Sequence, residues 1–218
     1  MNKKPRKYKV ILFDMDGTII DSDLMVVLTW LSLSHDLRKG YKPHLSELLE
    51  FSGPPLSESL PSYFPNESYE KLYSLYLKRC KEYYDSTVTA FPKTKEFLSY
   101  LKEAGYHLGV VTNKSHPFAE YSLKICDLEG LFEVIIGEGD VLHNKPSPDG
   151  IFKAMEELHI SKKEEVLYLG DTIYDVKSAK NAGVSFALLN WGLRKTPNGV
   201  AKSLVFSNWE ELKRGFSL

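Results

Sequence analysis

The sequence predicts an α/β protein: a Rossmann-like parallel-sheet core with an inserted helical block. Three observations carry that expectation. Val10-Ile11-Leu12-Phe13 is an unbroken apolar run that ends in Asp14-Met15-Asp16-Gly17-Thr18; this is how a strand buried on both faces leaves its sheet at a polar turn. From Phe91 to Leu189, apolar strand-like runs alternate regularly with helical periods, as in parallel strands joined by right-handed crossovers. Between these two regions, residues 21–89 read as helices with no convincing strand. The expected division is residues 1–20 and 90–218 as the α/β core and 21–89 as the insertion.

Within the insertion, Leu24, Val27, Leu28, Leu31 and Leu37 place a helix over Asp23–Arg38, with Asp21 or Ser22 as its cap and Gly40 and Pro43 as its stop. Short helices are expected over His44–Phe51 and Leu56–Tyr63, separated by Gly53-Pro54-Pro55. A long amphipathic helix over Asn66–Tyr84 carries Tyr69, Leu72, Tyr73, Tyr76, Leu77, Cys80 and Tyr84 on a helical period. Such spacing favours a core role for the tyrosines over a ligand-facing one.

The core then reads as a helix over Pro92–Ala104 ended by Gly105, a strand over His107–Val111, and a helix over Ser115–Cys126. A strand follows at Phe132–Ile136, a helix at Pro148–His159, and a strand at Val166–Leu169. The last expected pair is a helix over Val176–Ala182, ended by Gly183, and a strand over Val184–Leu189.

Composition narrows the class of protein. The 218 residues suffice for one α/β domain and a smaller insertion. A hydrophobic fraction of 43% and a charged fraction of 26% are ordinary for a globular chain. With a net charge of −1 there is no basic field to hold nucleic acid or an anionic membrane. Lys3, Lys4, Arg6, Lys7 and Lys9 form a short basic start, expected to be a solvated terminus. The apolar run after it is too short for a signal peptide, and no stretch approaches the length of a membrane span. Cys80 and Cys126 have no metal-ligand spacing, which points to a reducing cytoplasm rather than a disulfide framework. His35, His44, His107, His116, His143 and His159 are scattered and are expected at the surface or satisfied.

The chemistry gathers at strand ends. In an open α/β sheet the carboxyl ends of the strands are where ligands bind. Asp14 and Asp16 sit at one such end, and burying both is costly unless something neutralises them. A divalent cation would do so, and hard oxygen ligands suit Mg2+. Thr112 ends a second apolar strand and is followed by Asn113. Asp171 ends a third, with Asp175 four residues on, at the first turn of a helix. Lys145 lies in Asn144-Lys145-Pro146-Ser147-Pro148. A hydroxyl beside the N–H groups opening a helix, together with an ammonium, can hold an anion.

In this order, Asp14-Met15-Asp16-Gly17-Thr18, Thr112, Lys145 and Gly170-Asp171-Thr172-Ile173-Tyr174-Asp175 resemble the four motifs of the haloacid dehalogenase-like phosphatase superfamily. The helical block between the first two motifs resembles a helical cap domain. The resemblance implies a Mg2+-dependent phosphomonoester hydrolase with Asp14 as nucleophile and Asp16 as general acid and base. It also implies Asp14, Asp171 and the backbone carbonyl of Asp16 as metal ligands, with Thr112, Asn113 and Lys145 on phosphoryl oxygens. Asp175 would reach the metal through water or orient Lys145. Dehalogenase relatives lack the second aspartate, so Asp16 favours phosphoryl chemistry. Phe51-Ser52-Gly53-Pro54-Pro55-Leu56 is similar to a cap loop of phosphoglycolate-phosphatase-like and β-phosphoglucomutase-like members, but Ser57 and Glu58 follow where many of these carry a basic residue. The implied partner is a small phosphorylated metabolite: a phosphoglycolate-like acid, a sugar phosphate, a nucleotide or pyrophosphate. Two rival readings stand beside this one, a phosphomutase with the same motifs and a non-catalytic binding module on the same scaffold.

Overall fold

Four-residue strand β1 (Val10–Phe13) is fully buried and lies inside a six-stranded parallel sheet. Its neighbours are β4 (His107–Ser115) and β6 (Val166–Gly170), and β5 (Val134–Glu138), β7 (Ser185–Leu189) and β8 (Val205–Phe206) complete the order β5-β4-β1-β6-β7-β8. The structure is a computed structural model and describes residues 7–218. Of the basic start, Lys3, Lys4 and Arg6 lie outside the described residues, and Lys9 pairs with Glu165 at 2.9 Å.

Successive side chains of β1 point to opposite faces, so one strand feeds two cores. Val10 and Leu12 pack with α7 (Asp149–Glu157) and α8 (Ile173–Ala182) through Ile151, Ala154, Met155, Ala179 and Ala182. Ile11 and Phe13 pack on the other face with α5 (Thr94–Glu103), α6 (His116–Ile125) and α9 (Trp209–Phe216). The result is the expected helix–sheet–helix sandwich. It places Asp14, Thr112 and Asp171 side by side at the carboxyl ends of three neighbouring strands.

The insertion holds α1 (Asp23–Leu37), α2 (Leu45–Leu49), α3 (Leu56–Tyr63) and α4 (Tyr69–Thr87). Trp30 of α1 is fully buried and organises them. Its indole stacks on Phe51 with centroids 3.9 Å apart and meets Tyr63 edge-on at 5.6 Å. Helix α4 begins three residues later than expected because Ser68 caps it, accepting from the Lys71 N–H at 3.4 Å.

Three sequence expectations are corrected. Two short strands, β2 (Ile20–Asp21) and β3 (Thr89–Ala90), pair antiparallel at the two ends of the insertion. Two-residue strands carry no readable period. Strand β4 runs on through Thr112 to Ser115, with a register irregularity against β5 after Val111. Ser22 stands at the N-cap of α1, but its hydroxyl donates to Asp16 instead of accepting from the helix. Beyond Leu189 the chain forms β8 and α9, which add Trp209 and Leu212 to the core. Cys80 and Cys126 are free thiols, and no helix among the described residues is long and apolar enough to cross a membrane.

Candidate active site

Asp14 emerges from β1 with its N–H bound to the Leu169 carbonyl of β6 at 2.7 Å, so the sheet itself aims the side chain. Its Oδ1 accepts from Lys145 Nζ at 2.6 Å. The same ammonium donates to Asp175 Oδ1 at 2.7 Å and lies 3.1 Å from the Tyr168 hydroxyl. Tyr168 in turn donates to the Val111 carbonyl (3.0 Å) or to Asp175 Oδ1 (2.8 Å). Asp175 spends its other oxygen on the Thr172 N–H and hydroxyl, at 2.9 and 2.6 Å, closing a capping box at the start of α8. Lys145 is thus held by two buried carboxylates, and its ammonium stays charged: burial opposes the charge, but the two acids more than compensate.

Asp14, Asp171 and Asp175 each offer a carboxylate oxygen within 4.8 Å of the others, and all three residues are buried. Burial pushes the Asp14 carboxyl up to about 6, with Lys145 opposing and Asp175 adding to the rise. Burial also raises Asp171 well above the ordinary carboxylate range, against the pull of Arg194. Asp175 is held low: burial acts against it, but Lys145 and the Thr172 hydrogen bonds prevail. The cluster is therefore short of positive charge.

Asp16 makes its hydrogen bonds outside this cluster. Its Oδ1 accepts from Lys114 Nζ at 2.7 Å and from the Ser22 hydroxyl at 2.6 Å. Burial would raise its carboxyl, yet Lys114 and Ser22 bring it below the usual value. Lys114 also donates to the Tyr84 hydroxyl of α4 at 2.8 Å and to Ser122 of α6 at 3.3 Å. Thr112 Oγ1 accepts from the Lys114 N–H at 3.2 Å, which leaves its own hydrogen free to donate. Asn113 ties three segments together. Its amide donates to the carbonyls of Gly53 (2.9 Å) and Lys145 (3.2 Å), and its oxygen accepts from the Lys145 N–H at 2.9 Å.

Residues without an expected role complete the site. Arg194, from the loop after β7, sets Nη1 2.7 Å from Asp171 Oδ2 and Nη2 3.1 Å from Asp23 Oδ1. These are contacts of charge: none of its guanidinium nitrogens makes an aligned hydrogen bond among the described residues. Gly17, at φ +85°, makes room for it, since a Cβ there would lie 1.9 Å from Nη2. Lys114 and Tyr168 belong to the site as well, and neither carries a sequence signal that marks it.

A cavity of about 90 Å3 opens above Asp14, Asp16, Thr112, Lys114 and Lys145 and runs up under the insertion. Tyr73, Tyr76 and Tyr84 line it; Tyr76 and Tyr84 are buried as well, so the core and ligand-facing readings of the α4 tyrosines meet. The histidines lie where expected: none is buried, and His116 pairs with Asp140 at 2.5 Å.

A buried carboxylate, an anchored ammonium and a second acid meet at the mouth of a parallel sheet, an arrangement able to serve phosphoryl-transfer chemistry. The family model for haloacid dehalogenase-like hydrolases matches residues 11–189. The PpaX protein of Caldanaerobacter subterraneus subsp. tengcongensis is 34% identical over 187 residues, 86% of this chain and 84% of that one. Pyrophosphatase PpaX of Bacillus velezensis is 33% identical, covering 87% of this chain and 86% of its own. Among solved structures, CbbY from Rhodobacter sphaeroides in complex with phosphate shares the fold, with a TM-score of 0.82 at 20% identity over 97% of this chain and 100% of that one. The chain belongs to the haloacid dehalogenase-like hydrolases, among their phosphatases.

Proposed function

We propose that the protein is a Mg2+-dependent phosphomonoester hydrolase that acts on a small phosphorylated metabolite through an aspartyl-phosphate. The observation that carries this reading is the Asp14 carboxylate, bonded to Lys145 at 2.6 Å and sharing a 4.8 Å cluster with Asp171 and Asp175. Three buried carboxylates with an excess of negative charge fit a hard divalent cation. Asp14, Asp171 and the backbone carbonyl of Asp16 would hold it. When bound, Mg2+ supplies charge shielding for the nucleophile and the phosphoryl oxygens.

In the first step an Asp14 carboxylate oxygen attacks phosphorus, the phosphorus–oxygen bond to the leaving group breaks, and Asp16 gives that oxygen its proton. In the second, Asp16 takes a proton from water, the water oxygen attacks phosphorus, and the bond to Asp14 breaks to release phosphate. Thr112 and Lys145 hold phosphoryl oxygens. Asn113, expected on a phosphoryl oxygen, has its amide on the carbonyls of Gly53 and Lys145, so it acts, like Asp175, through Lys145. Residues 21–89 serve as the cap that shields the reaction from water, and the chain works in the cytoplasm with both thiols reduced.

The test is a panel of phosphorylated metabolites, with pyrophosphate included because of the named PpaX relatives, assayed with Mg2+ and with chelator. Phosphate release that requires Mg2+ and disappears in Asp14→Asn supports the reading. Full activity in Asp14→Asn overturns it. Transfer of the phosphoryl group back to a sugar through a bisphosphate would make the protein a phosphomutase instead.

A further inference from the structure

The cavity is built of two unlike halves. Its floor carries the charged groups, and its upper wall is apolar: Phe51, Pro54, Leu56, Tyr73, Tyr76 and Leu77 all come from the insertion. Among the described residues, Lys114 and Lys145 are the cavity's only cations. Both are already engaged, Lys114 with Asp16 and Lys145 with Asp14 and Asp175. Three basic residues of the insertion are engaged elsewhere. Arg38 lies over the Tyr41 ring at 3.9 Å, Lys71 pairs with Glu67 at 2.6 Å, and Arg79 pairs with Asp36 at 2.7 Å. Glu58, just beyond the Phe51–Leu56 loop, accepts from the Tyr174 hydroxyl of α8 at 2.9 Å. The one further charged group on the lining is an acid, Glu138, whose carboxyl burial raises and whose oxygen accepts from Asn144 at 3.2 Å.

From this we infer that the cavity selects phosphate monoesters whose leaving group is uncharged and predominantly apolar, and disfavours substrates that carry a second anionic group. This rests on the hydrolase reading above and names its substrate class. A phosphoryl group seated on the floor beside Thr112 and Lys145 directs the rest of the molecule toward the wall. A carboxylate or second phosphate there would lose its water without gaining a cation, and it would stand against Glu138. An alkyl or aromatic group there is removed from water at no such cost. Preference among substrates then follows from the wall, since the floor is common to all of them.

The experiment compares isobutyl phosphate, 2-phosphoglycolate and pyrophosphate with the full-length protein in Mg2+. Isobutyl phosphate carries an isopropyl group where phosphoglycolate has its carboxylate, so the two match in shape and differ in charge. Glycolate is the better leaving group, so chemistry alone favours phosphoglycolate. The expected result is a kcat/KM at least about tenfold higher for isobutyl phosphate than for either substrate that carries a second anionic group. Leu77→Arg is expected to narrow or reverse that ratio. Calorimetry with Asp14→Asn, which holds substrate without turning it over, is expected to show the same order in Kd and remains available if the Leu77 variant fails to fold. A kcat/KM for phosphoglycolate or pyrophosphate equal to or above that of isobutyl phosphate overturns the substrate class and leaves the hydrolase reading standing. Hydrolysis of none of the three, with no binding to Asp14→Asn, overturns both.

Discussion

The ammonium of Lys114 lies 2.7 Å from Asp16 Oδ1, and the same nitrogen donates to Tyr84 of the insertion at 2.8 Å. One lysine thus joins the proposed acid–base group to the helical block above it. Lys114→Met is expected to lower kcat by about 100-fold, because Asp16 loses the contact that orients it. Tyr84→Phe keeps the Lys114–Asp16 pair and is expected to cost about 1 kcal/mol of stability with a much smaller loss of kcat. Steady-state kinetics and urea unfolding of both variants check this. Equal losses of kcat would show that Lys114 orients Asp16 only while Tyr84 holds it.

Lys145 neutralises two buried acids at once. Lys145→Met leaves Asp14 and Asp175 facing each other without their ammonium, and removing one partner from a buried charge pair costs about 3–5 kcal/mol. Urea denaturation is expected to show that loss, with kcat falling by about 1000-fold as the proposed phosphoryl contact is lost as well. Lys145→Arg keeps the charge in a different shape and is expected to recover stability more than activity.

The acid cluster sets the response to pH. Asp14 has a folded-state value of about 6 against an ordinary 3.8. Its contribution to stability is therefore full below the ordinary value and is lost as pH rises through about 6. Asp171, also raised, acts with the same sign. Asp16 and Asp175 are lowered, so theirs is present above the ordinary value and lost only at more acid pH. In chelator, Tm is expected to fall between about pH 5 and about pH 7.5 through Asp14 and Asp171, and Mg2+ is expected to restore it at the higher pH. Thermal scans with and without Mg2+ at both pH values measure this; a Mg2+ effect no larger at the higher pH would contradict it.

Gly53 sits at φ +119° with its carbonyl on Asn113, and a Cβ there would lie 2.7 Å from Thr172 Cγ2. Gly53→Ala is expected to destabilise by about 1–3 kcal/mol. It is also expected to lower kcat/KM by about tenfold, since the loop and Lys145 share Asn113. Thr172→Ser removes the obstructing methyl while keeping the hydroxyl that caps α8. Combined with Gly53→Ala it should return part of the loss, a coupling that a double-mutant cycle reads directly.

The sheet and the carboxylate floor were legible because they are local in sequence. The Val10–Phe13 run announces its strand, and Asp14, Thr112 and Asp171 each terminate an apolar stretch. Arg194 was not legible, because it reaches Asp171 from a loop after β7 that has neither strand nor helix periodicity. Tyr168 was not legible either, because an apolar strand conceals its one hydroxyl, which touches both Lys145 and Asp175. The last helix did have a signal. Asn208 precedes Glu211 by three residues, and Trp209, Leu212 and Phe216 follow a helical period, as the observed cap on Glu211 N at 2.9 Å bears out. The apolar lining above the floor was beyond reach as a unit, since it draws on three separate stretches of the insertion, 25–26, 51–56 and 73–84.

The ribbon of Ile20–Asp21 with Thr89–Ala90 brings the chain's departure from the sheet and its return side by side. Sixty-odd residues hang from a doorway two strands wide, while the acids beneath are fastened by the sheet and by α8. The roof can therefore change in length or sequence with least effect on the hearth away from Ser22, Asp23, Gly53 and Tyr84, the posts that reach down to Asp16, Arg194, Asn113 and Lys114.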